Sequence, residues 1–191
     1  MSPLCSDDRR ALLDLARRAI VEAVCHERAL DFPLPAGAIA TPAAAFVTLR
    51  RRSQLCGCIG QIVASDSLAA TVVRCAIGAA TKDPRFRPVR PEEMAELEIE
   101  LSVLSALEPI RPEAVEVGRH GLVVVRDQER GVLLPQVATE HHWTRERFLE
   151  EACAKAGLPP DAWKDPATHI LAFTAEVFSE ADFHIERQRA S

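Results

Sequence analysis

Aromatic residues are scarce in this sequence of 191 residues: there is no tyrosine, and there are only seven phenylalanines and two tryptophans. Without a phenol, every reaction that needs a tyrosine side chain is excluded. The 8 glycines and 13 prolines are too few for a collagen-like or low-complexity chain. No apolar run approaches the roughly 18 residues that a membrane-spanning helix needs, so we expect no association with a membrane.

Positively charged residues are also fewer than negatively charged ones. There are 23 lysines and arginines and 28 aspartates and glutamates, which gives a formal net charge of −5. Proteins that bind nucleic acid through non-specific phosphate contacts are usually basic. Arg50-Arg51-Arg52 is one local basic run. Nucleic acid is therefore an unfavoured partner.

The N-terminal segment contains neither a basic n-region nor an apolar h-region, so we expect no signal peptide. The six cysteines are not spaced like a dense disulfide framework. Reduced thiols in the cytoplasm are the expected state. The chain is long enough to bury its own core without a metal or a disulfide, and we expect no cofactor.

Hydrophobic periodicity predicts an α+β fold, with a mainly antiparallel sheet flanked by helices and divided into two lobes. A first helix is predicted over about 7–29, capped by Ser6 and followed by the chain-breaking Pro33 and Pro35. Another helix is expected at 67–81, and a third runs from the cap Thr144 to about Ala156. The predicted strands are 45–49 and 55–62 around a polar turn, 97–103, a hairpin of 121–125 with 132–134, and a final strand at about 169–178.

The stretch Cys56-Gly57-Cys58 lies within a predicted strand. Because side chains alternate along a strand, both cysteines are expected on the same face. Three interpretations stay open: two small buried hydrophobic residues, a nucleophilic or redox thiol made accessible by glycine, or a metal ligand. Glycine in a strand indicates a bulge or a close approach to the backbone.

Two further segments contain residues with reactive side chains. His120 lies between glycines before a strand, and His141 precedes a helix cap, so either could line a cleft or remain a surface residue. In Asp83-Pro84-Arg85 the proline holds an acid and a guanidinium rigidly, either to grip an anion or as a loop closed by an ion pair. No phosphate-binding loop, nucleophile elbow, zinc-protease motif or dinucleotide fingerprint is present.

Taken together, these segments resemble the AMMECR domain family, whose bacterial members are called AmmeMemoRadiSam system protein A. The resemblance is collinear over nearly the whole chain and identifies 1–191 as a single domain. Its landmarks are Phe46-Val47-Thr48-Leu49, Leu55-Cys56-Gly57-Cys58-Ile59-Gly60, Asp83-Pro84-Arg85-Phe86, Glu100-Leu101-Ser102-Val103-Leu104, His120-Gly121-Leu122, Arg130-Gly131-Val132-Leu133-Leu134-Pro135-Gln136-Val137, Phe148-Leu149 and Ala156-Gly157-Leu158.

The family hallmark is a Leu-Arg-Gly-Cys-Ile-Gly hexapeptide, and this chain departs from it by carrying Cys56 in place of arginine. The family cysteine corresponds to Cys58. The resemblance implies a larger and a smaller lobe, with the hexapeptide near a cleft between them. It also implies association with a Memo-like protein and a radical SAM protein, and it implies no particular reaction.

We therefore carry two hypotheses. In the first, the protein is a cysteine-dependent enzyme acting on a small anionic or carbonyl-bearing molecule, with Cys58 as nucleophile, His120 as base and Asp83 holding either Arg85 or His120. In the second, it is a binding or scaffold module for the Memo-like and radical SAM proteins. The residues assigned to substrate binding are Arg85, Gly57, Gly60, Gln136 and His141. No metal site is expected.

Overall fold

The structure is a computed structural model that describes residues 4–32 and 36–183. The chain divides into two compact units. The first unit contains the residues up to Leu104 together with those from Glu176 onward, and the second is Ser105–Ala175. Pro33 and Pro35, predicted to break the chain after the first helix, lie outside the described residues.

Four α-helices and eight strands make up the described fold. The helices are α1 (Ser6–Cys25), α2 (Leu68–Thr81), α3 (Pro135–Glu140) and α4 (Arg145–Lys155). The strands are β1 (Ala45–Arg51), β2 (Gln54–Gln61), β3 (Leu97–Leu104), β4 (Glu108–Pro109), β5 (Gly121–Arg126), β6 (Glu129–Leu133), β7 (His169–Phe173) and β8 (Ala175–Ser179). Short 3₁₀ helices occupy several of the connections.

Each unit contains one four-stranded sheet, and this confirms the predicted α+β class. The strand order is β2-β1-β3-β8 in the first unit and β4-β7-β5-β6 in the second. Strand β1 pairs antiparallel with both β2 and β3, and β5 pairs antiparallel with both β6 and β7. Strand β2 is therefore an edge strand.

Alternation along β1 and β3 sends one set of side chains into the core of the first unit. Val47 and Leu49 are fully buried there, and so are Ile99 and Leu101 on β3. Helices α1 and α2 supply the other side of this core, with residues such as Leu12, Ile20, Leu68 and Val72. One face of this sheet thus packs on the helices, and the other carries polar side chains.

The core of the second unit is formed by α4 against its sheet. Phe148, Leu149 and Ala152 are completely buried against Leu122 and Val124. Helix α4 begins after the predicted cap, because the Thr144 side chain accepts the Arg147 N–H at 3.2 Å. It ends before Gly157, whose φ of +77° is the left-handed conformation that glycine favours.

Several predicted boundaries are wrong for identifiable reasons. Helix α1 is capped by Cys5 rather than Ser6, because the Cys5 sulfur accepts the Asp8 N–H while the Asp8 carboxylate accepts the Cys5 N–H. It also ends at Cys25, four residues before the predicted end. Helix α3 was not predicted, since six residues are too few for a periodic pattern.

The predicted final strand is in fact two strands. Its first half, β7, belongs to the sheet of the second unit, and its second half, β8, belongs to the sheet of the first unit. Thr174 separates them, and its backbone N–H donates to the Ser105 hydroxyl at 2.9 Å. Hydrophobic periodicity cannot detect this change of sheet, because the largely apolar composition of the segment continues through it.

Candidate functional site

The two cysteines of the strand motif lie on opposite faces of the sheet, so the prediction of a shared face is wrong. Leu49 pairs with Gly57 while Arg50 pairs with Leu55, which leaves Cys56 as the extra residue of a β-bulge. Cys56 packs against the core of the first unit. Cys58 pairs with Thr48, which points away from that core.

Cys56 behaves as a packing residue. Its thiol donates to the Leu49 carbonyl oxygen at 3.4 Å. Burial raises the pKa of the Cys56 thiol, and the nearby Arg51 and Arg87 offset only part of this effect. Cys56 also lines a groove of about 210 Å³ together with both arginines.

Asp83 and Arg85 take the place of a missing neighbour strand at the edge of β2. The Cys58 N–H donates to Asp83 Oδ2 at 2.8 Å, and Arg85 Nη2 donates to the Cys58 carbonyl oxygen at 2.9 Å. The N–H and the carbonyl oxygen of Cys58, which both face the edge of the sheet, therefore each have a hydrogen-bond partner. This protects the edge from pairing with another chain.

Asp83 forms a bidentate ion pair with Arg85. A loop closed by an ion pair is one of the two arrangements that were predicted for this segment. Arg85 Nε donates to Asp83 Oδ1 at 3.0 Å and Nη2 donates to Oδ2 at 2.7 Å, while the Arg85 backbone N–H reaches Oδ1 at 3.1 Å. The Asp83 side chain is only 2% exposed. The pKa of Asp83 lies well below its usual range despite burial. The main cause is the Arg85 guanidinium, and the backbone N–H groups of Cys58 and Arg85 add to the effect.

Arg85 is exposed on its remaining side. Its side chain is 58% accessible, and its guanidinium carbon lies 5.4 Å from the centre of the Phe86 ring. Among the described residues, its guanidinium binds the Asp83 carboxylate and the carbonyl oxygen and side chain of Cys58. A guanidinium fixed on one edge and open on the other is suited to bind a carboxylate or phosphate.

The Cys58 thiol is half-buried, and both the Thr48 hydroxyl and the Arg85 guanidinium lie within hydrogen-bonding range of it. The Thr48 hydroxyl lies 3.5 Å from Cys58 Sγ and donates to it. Thr48 itself is almost buried, with 8% exposure. The thiol therefore lies beside both a hydroxyl group and the peptide that anchors Arg85.

The two glycines of the motif serve close packing. A Cβ on Gly57 would lie 2.2 Å from the Ala79 carbonyl oxygen of α2, so this helix approaches β2 only because residue 57 has no side chain. A Cβ on Gly60 would lie 2.2 Å from the Phe46 ring. The prediction of a close approach to the backbone is confirmed at both positions; their role in substrate binding stays a prediction.

The three other predicted site residues belong to the second unit. His120 Nδ1 accepts the backbone N–H of Glu116 at 3.0 Å. Since a backbone N–H can only donate, Nδ1 carries no proton and Nε2 carries the ring proton. His120 thus presents a donor rather than the free lone pair that a base needs.

Gln136 lies in the first turn of α3, and His141 directly follows the last residue of that helix. The His141 ring stacks on Trp143 with 4.9 Å between ring centres. The structure thus brings together Gly57, Cys58, Gly60, Asp83 and Arg85 in the first unit.

Within residues 4–32 and 36–183, no group of three or more histidine, cysteine, aspartate or glutamate side chains is arranged to hold a metal ion. All six cysteines are unpaired. Over the same ranges, no helix combines the length and apolar character needed to cross a bilayer.

Comparison with known proteins gives the family. The AMMECR1 family model matches residues 13–178. The chain belongs to the AMMECR1 family. A protein of Methanothermobacter thermautotrophicus is 43% identical over 188 residues, covering 94% of this chain and 97% of the relative. One from Thermococcus gammatolerans is 45% identical, covering 88% of each chain.

The fold of the AMMECR1 family is also seen in a solved structure. The crystal structure of the uncharacterized protein PH0010 from Pyrococcus horikoshii matches with a TM-score of 0.83 and 42% identity, over 89% of this chain and 90% of that one. These family members carry no stated activity. The function must therefore be argued from the site itself.

Sequence reasoning missed Thr48, which contacts the thiol, and Glu100, which pairs with Thr48 from the next strand. Both stand within quoted family landmarks, but their position relative to Cys58 depends on strand register. Thr48 pairs with Cys58 on one side and with Glu100 on the other. The available signal was one polar residue, Thr48, within the otherwise apolar stretch 45–49.

Proposed function

We propose that this AMMECR1-family protein is a cysteine-dependent enzyme that acts on a small anionic or carbonyl-bearing molecule. The observation that supports this most directly is the bond between Arg85 and the carbonyl oxygen of Cys58. The exposed cation and the candidate nucleophile are thereby fixed to one another through a single peptide. Asp83 makes this arrangement rigid by binding both residues.

The exposed edge of Arg85 would bind the anionic group of the substrate and place an adjacent carbonyl carbon beside Cys58 Sγ. The sulfur would form a bond to that carbon while the carbonyl π electrons move to oxygen. The thiol proton passes to a protein group. Collapse of the adduct then expels the leaving group and leaves a thioester on Cys58 for water to hydrolyse.

Alkylation with iodoacetamide over a pH series, with each cysteine resolved by mass spectrometry, tests this assignment. We expect Cys58 to react ahead of the other five thiols well below pH 8. Cys56 is the matched control, because it lies two residues away on the same strand and burial raises its pKa. Cys5 and Cys25 serve as exposed reference thiols.

A second experiment tests whether Arg85 binds an anion beside Cys58. It compares the effect of inorganic phosphate on alkylation in the wild type and in the Arg85→Gln variant. Phosphate should slow alkylation of Cys58 in the wild type and have no such effect in the Arg85→Gln variant. If Cys58 reacts no faster than Cys5 and Cys25 in the folded protein, the nucleophile assignment is wrong.

A non-catalytic module that presents a ligand to a Memo-like protein and a radical SAM protein is the second candidate. One observation favours it: every hydrogen bond of Asp83 is used to hold the loop and the strand edge together. Such a site would be built for rigid binding. Its signature would be an unreactive Cys58 together with a stable complex when the three proteins are purified together.

A further inference from the structure

A row of three side chains crosses the first sheet on the face opposite the helices. Cys58 on β2 pairs with Thr48 on β1, and Thr48 pairs with Glu100 on β3. All three lie on the same face, because the residues flanking Thr48 and Glu100 on each strand point into the core. Directly opposed side chains have Cβ atoms about 4.5–5.5 Å apart, so each member of the row is within reach of the next.

The Thr48 hydroxyl connects the two ends of this row. It lies 3.5 Å from Cys58 Sγ and is almost buried, which keeps water from competing for it. A hydroxyl has one proton and two lone pairs and can rotate between neighbours. In the structure the Thr48 hydroxyl donates to Cys58 Sγ, so it takes the proton of the thiol only after turning its own proton towards a carboxylate.

Glu100 is the carboxylate at the end of the row. Its side chain is half-buried, and no described residue, Thr48 included, binds it by a hydrogen bond or an ion pair. In contrast, arginines pair with Glu93, Glu96 and Glu180 in the same unit. A half-buried carboxylate that is left free, two strands away from a thiol, has no evident structural role.

The other acids and bases predicted for this site are already engaged. Asp83 accepts four hydrogen bonds, and its carboxylate has no position left for a proton. His120 receives the Glu116 N–H on Nδ1, so it could accept a proton there only by losing that bond. Glu100 is free of both restrictions.

We propose that Glu100 accepts the proton of the Cys58 thiol through the Thr48 hydroxyl. This inference rests on the proposed function, in which Cys58 is the nucleophile. As sulfur bonds to the substrate carbonyl carbon, the thiol proton moves to Thr48 Oγ1 and the Thr48 proton moves to Glu100. Glu100 ends the step as a neutral carboxylic acid, from which water then removes the proton. Glu100 is thus a positioning residue that acts through Thr48.

Acylation by p-nitrophenyl acetate tests the proposal without knowledge of the natural substrate. The reaction transfers an acetyl group to sulfur and releases p-nitrophenolate, whose absorbance gives the rate. Peptide mass spectrometry measures S-acetylation of Cys58 separately from that of the other thiols. We expect Glu100→Gln and Thr48→Val to slow acylation of Cys58 by about 100-fold, the lower range for loss of a proton-transfer group. Thr48→Ser keeps the hydroxyl and should stay within a few-fold of the wild type.

Glu98→Gln is the matched control, since Glu98 lies on the same face of β3, two residues from Glu100 and opposite Arg50 rather than Thr48. It removes the same charge and should leave the rate unchanged. Acylation should also be slower in D₂O than in H₂O for the wild type, and this difference should disappear in Glu100→Gln. A purely structural role for Glu100 would not produce that pattern.

The possible failures are distinguishable. If wild-type Cys58 resists acylation, both the proposed function and the relay are wrong. If Cys58 reacts readily and Glu100→Gln reacts as fast or faster, only the relay is wrong, because removing a negative charge alone would favour the thiolate. Circular dichroism and the unfolding midpoint identify any variant that fails to fold; if Glu100→Gln does so, the contrast between Thr48→Val and Thr48→Ser still tests the relay.

Discussion

Replacement of Asp83 with asparagine should destabilise the protein and loosen the edge of β2. Asparagine keeps one carbonyl oxygen but places an NH₂ group where a carboxylate oxygen now accepts from Cys58 and Arg85. The Cys58 N–H would then face another donor. The loss has two parts, and each can be sized from the surroundings of the group involved.

An unpaired buried N–H costs about 1–3 kcal/mol. The ion pair contributes less, about 0.2–1 kcal/mol, because the Arg85 side chain is 58% exposed and water can replace its partner. Together these give a decrease of about 1–4 kcal/mol in the free energy of unfolding. For a chain of this size, that lowers the melting temperature by roughly 2–16 °C.

The effect of Asp83→Asn also depends on pH, and the sign follows from the lowered pKa of Asp83. The unfolded chain binds a proton at this side chain near pH 4, whereas the folded protein does not, so stability falls as pH falls. The difference between wild type and variant should be constant above about pH 5 and should shrink progressively towards pH 2.

Urea unfolding at several pH values measures the difference in stability, and hydrogen exchange at the Cys58 amide measures the local effect. Exchange at Cys58 should be faster in the variant even where global stability is high. Glu96→Gln is the control, because it breaks the exposed Arg52–Glu96 pair and should leave the unfolding midpoint unchanged. An Asp83→Asn variant as stable as the wild type, or a difference that persists at pH 2, would refute this reasoning.

Two other expectations follow from the β2 strand. Gly57→Ala should lower the free energy of unfolding by about 1–3 kcal/mol in urea titrations, because the new Cβ would collide with the Ala79 carbonyl of α2; an unchanged midpoint would mean that this helix can shift without cost. Treatment of the folded protein with diamide should yield no disulfide between Cys56 and Cys58, since the bulge places their side chains on opposite faces; recovery of that disulfide by peptide mapping would show that the strand rearranges.

Local patterns in the sequence predicted the elements well where each element has its own signal. The apolar run that becomes α2, the cap Thr144 and the alternation of β3 all correspond to what the structure contains. The α+β class followed from the order of these elements. Segments whose ends depend on long-range pairing, such as the change of sheet between β7 and β8, were placed wrongly, and so were the cap and the end of α1.

The sequence predicted which residues belong to the candidate site, but it did not predict how they are arranged in space. The sequence singled out Cys58, Asp83 and Arg85, yet it offered two interpretations of the acidic loop, an ion pair or an anion site. The structure shows that one arrangement serves both, because Asp83 fixes one edge of Arg85 and leaves the other edge exposed. That outcome depends on β2 being an edge strand, which no local pattern reveals.

The bulge at Cys56 separates two thiols that the sequence presents as one motif. Alternation with period two is reliable only while every residue of a strand has a partner, and one unpaired residue reverses the faces beyond it. Cys56 consequently joins the core, where burial raises the pKa of its thiol, while Cys58 shares the opposite face with Thr48 and Glu100. Two of the three interpretations of the motif therefore apply to different residues: packing describes Cys56, and any thiol chemistry belongs to Cys58. Substitution of Cys56 alone thus measures the packing contribution, against which a Cys58 variant can be judged.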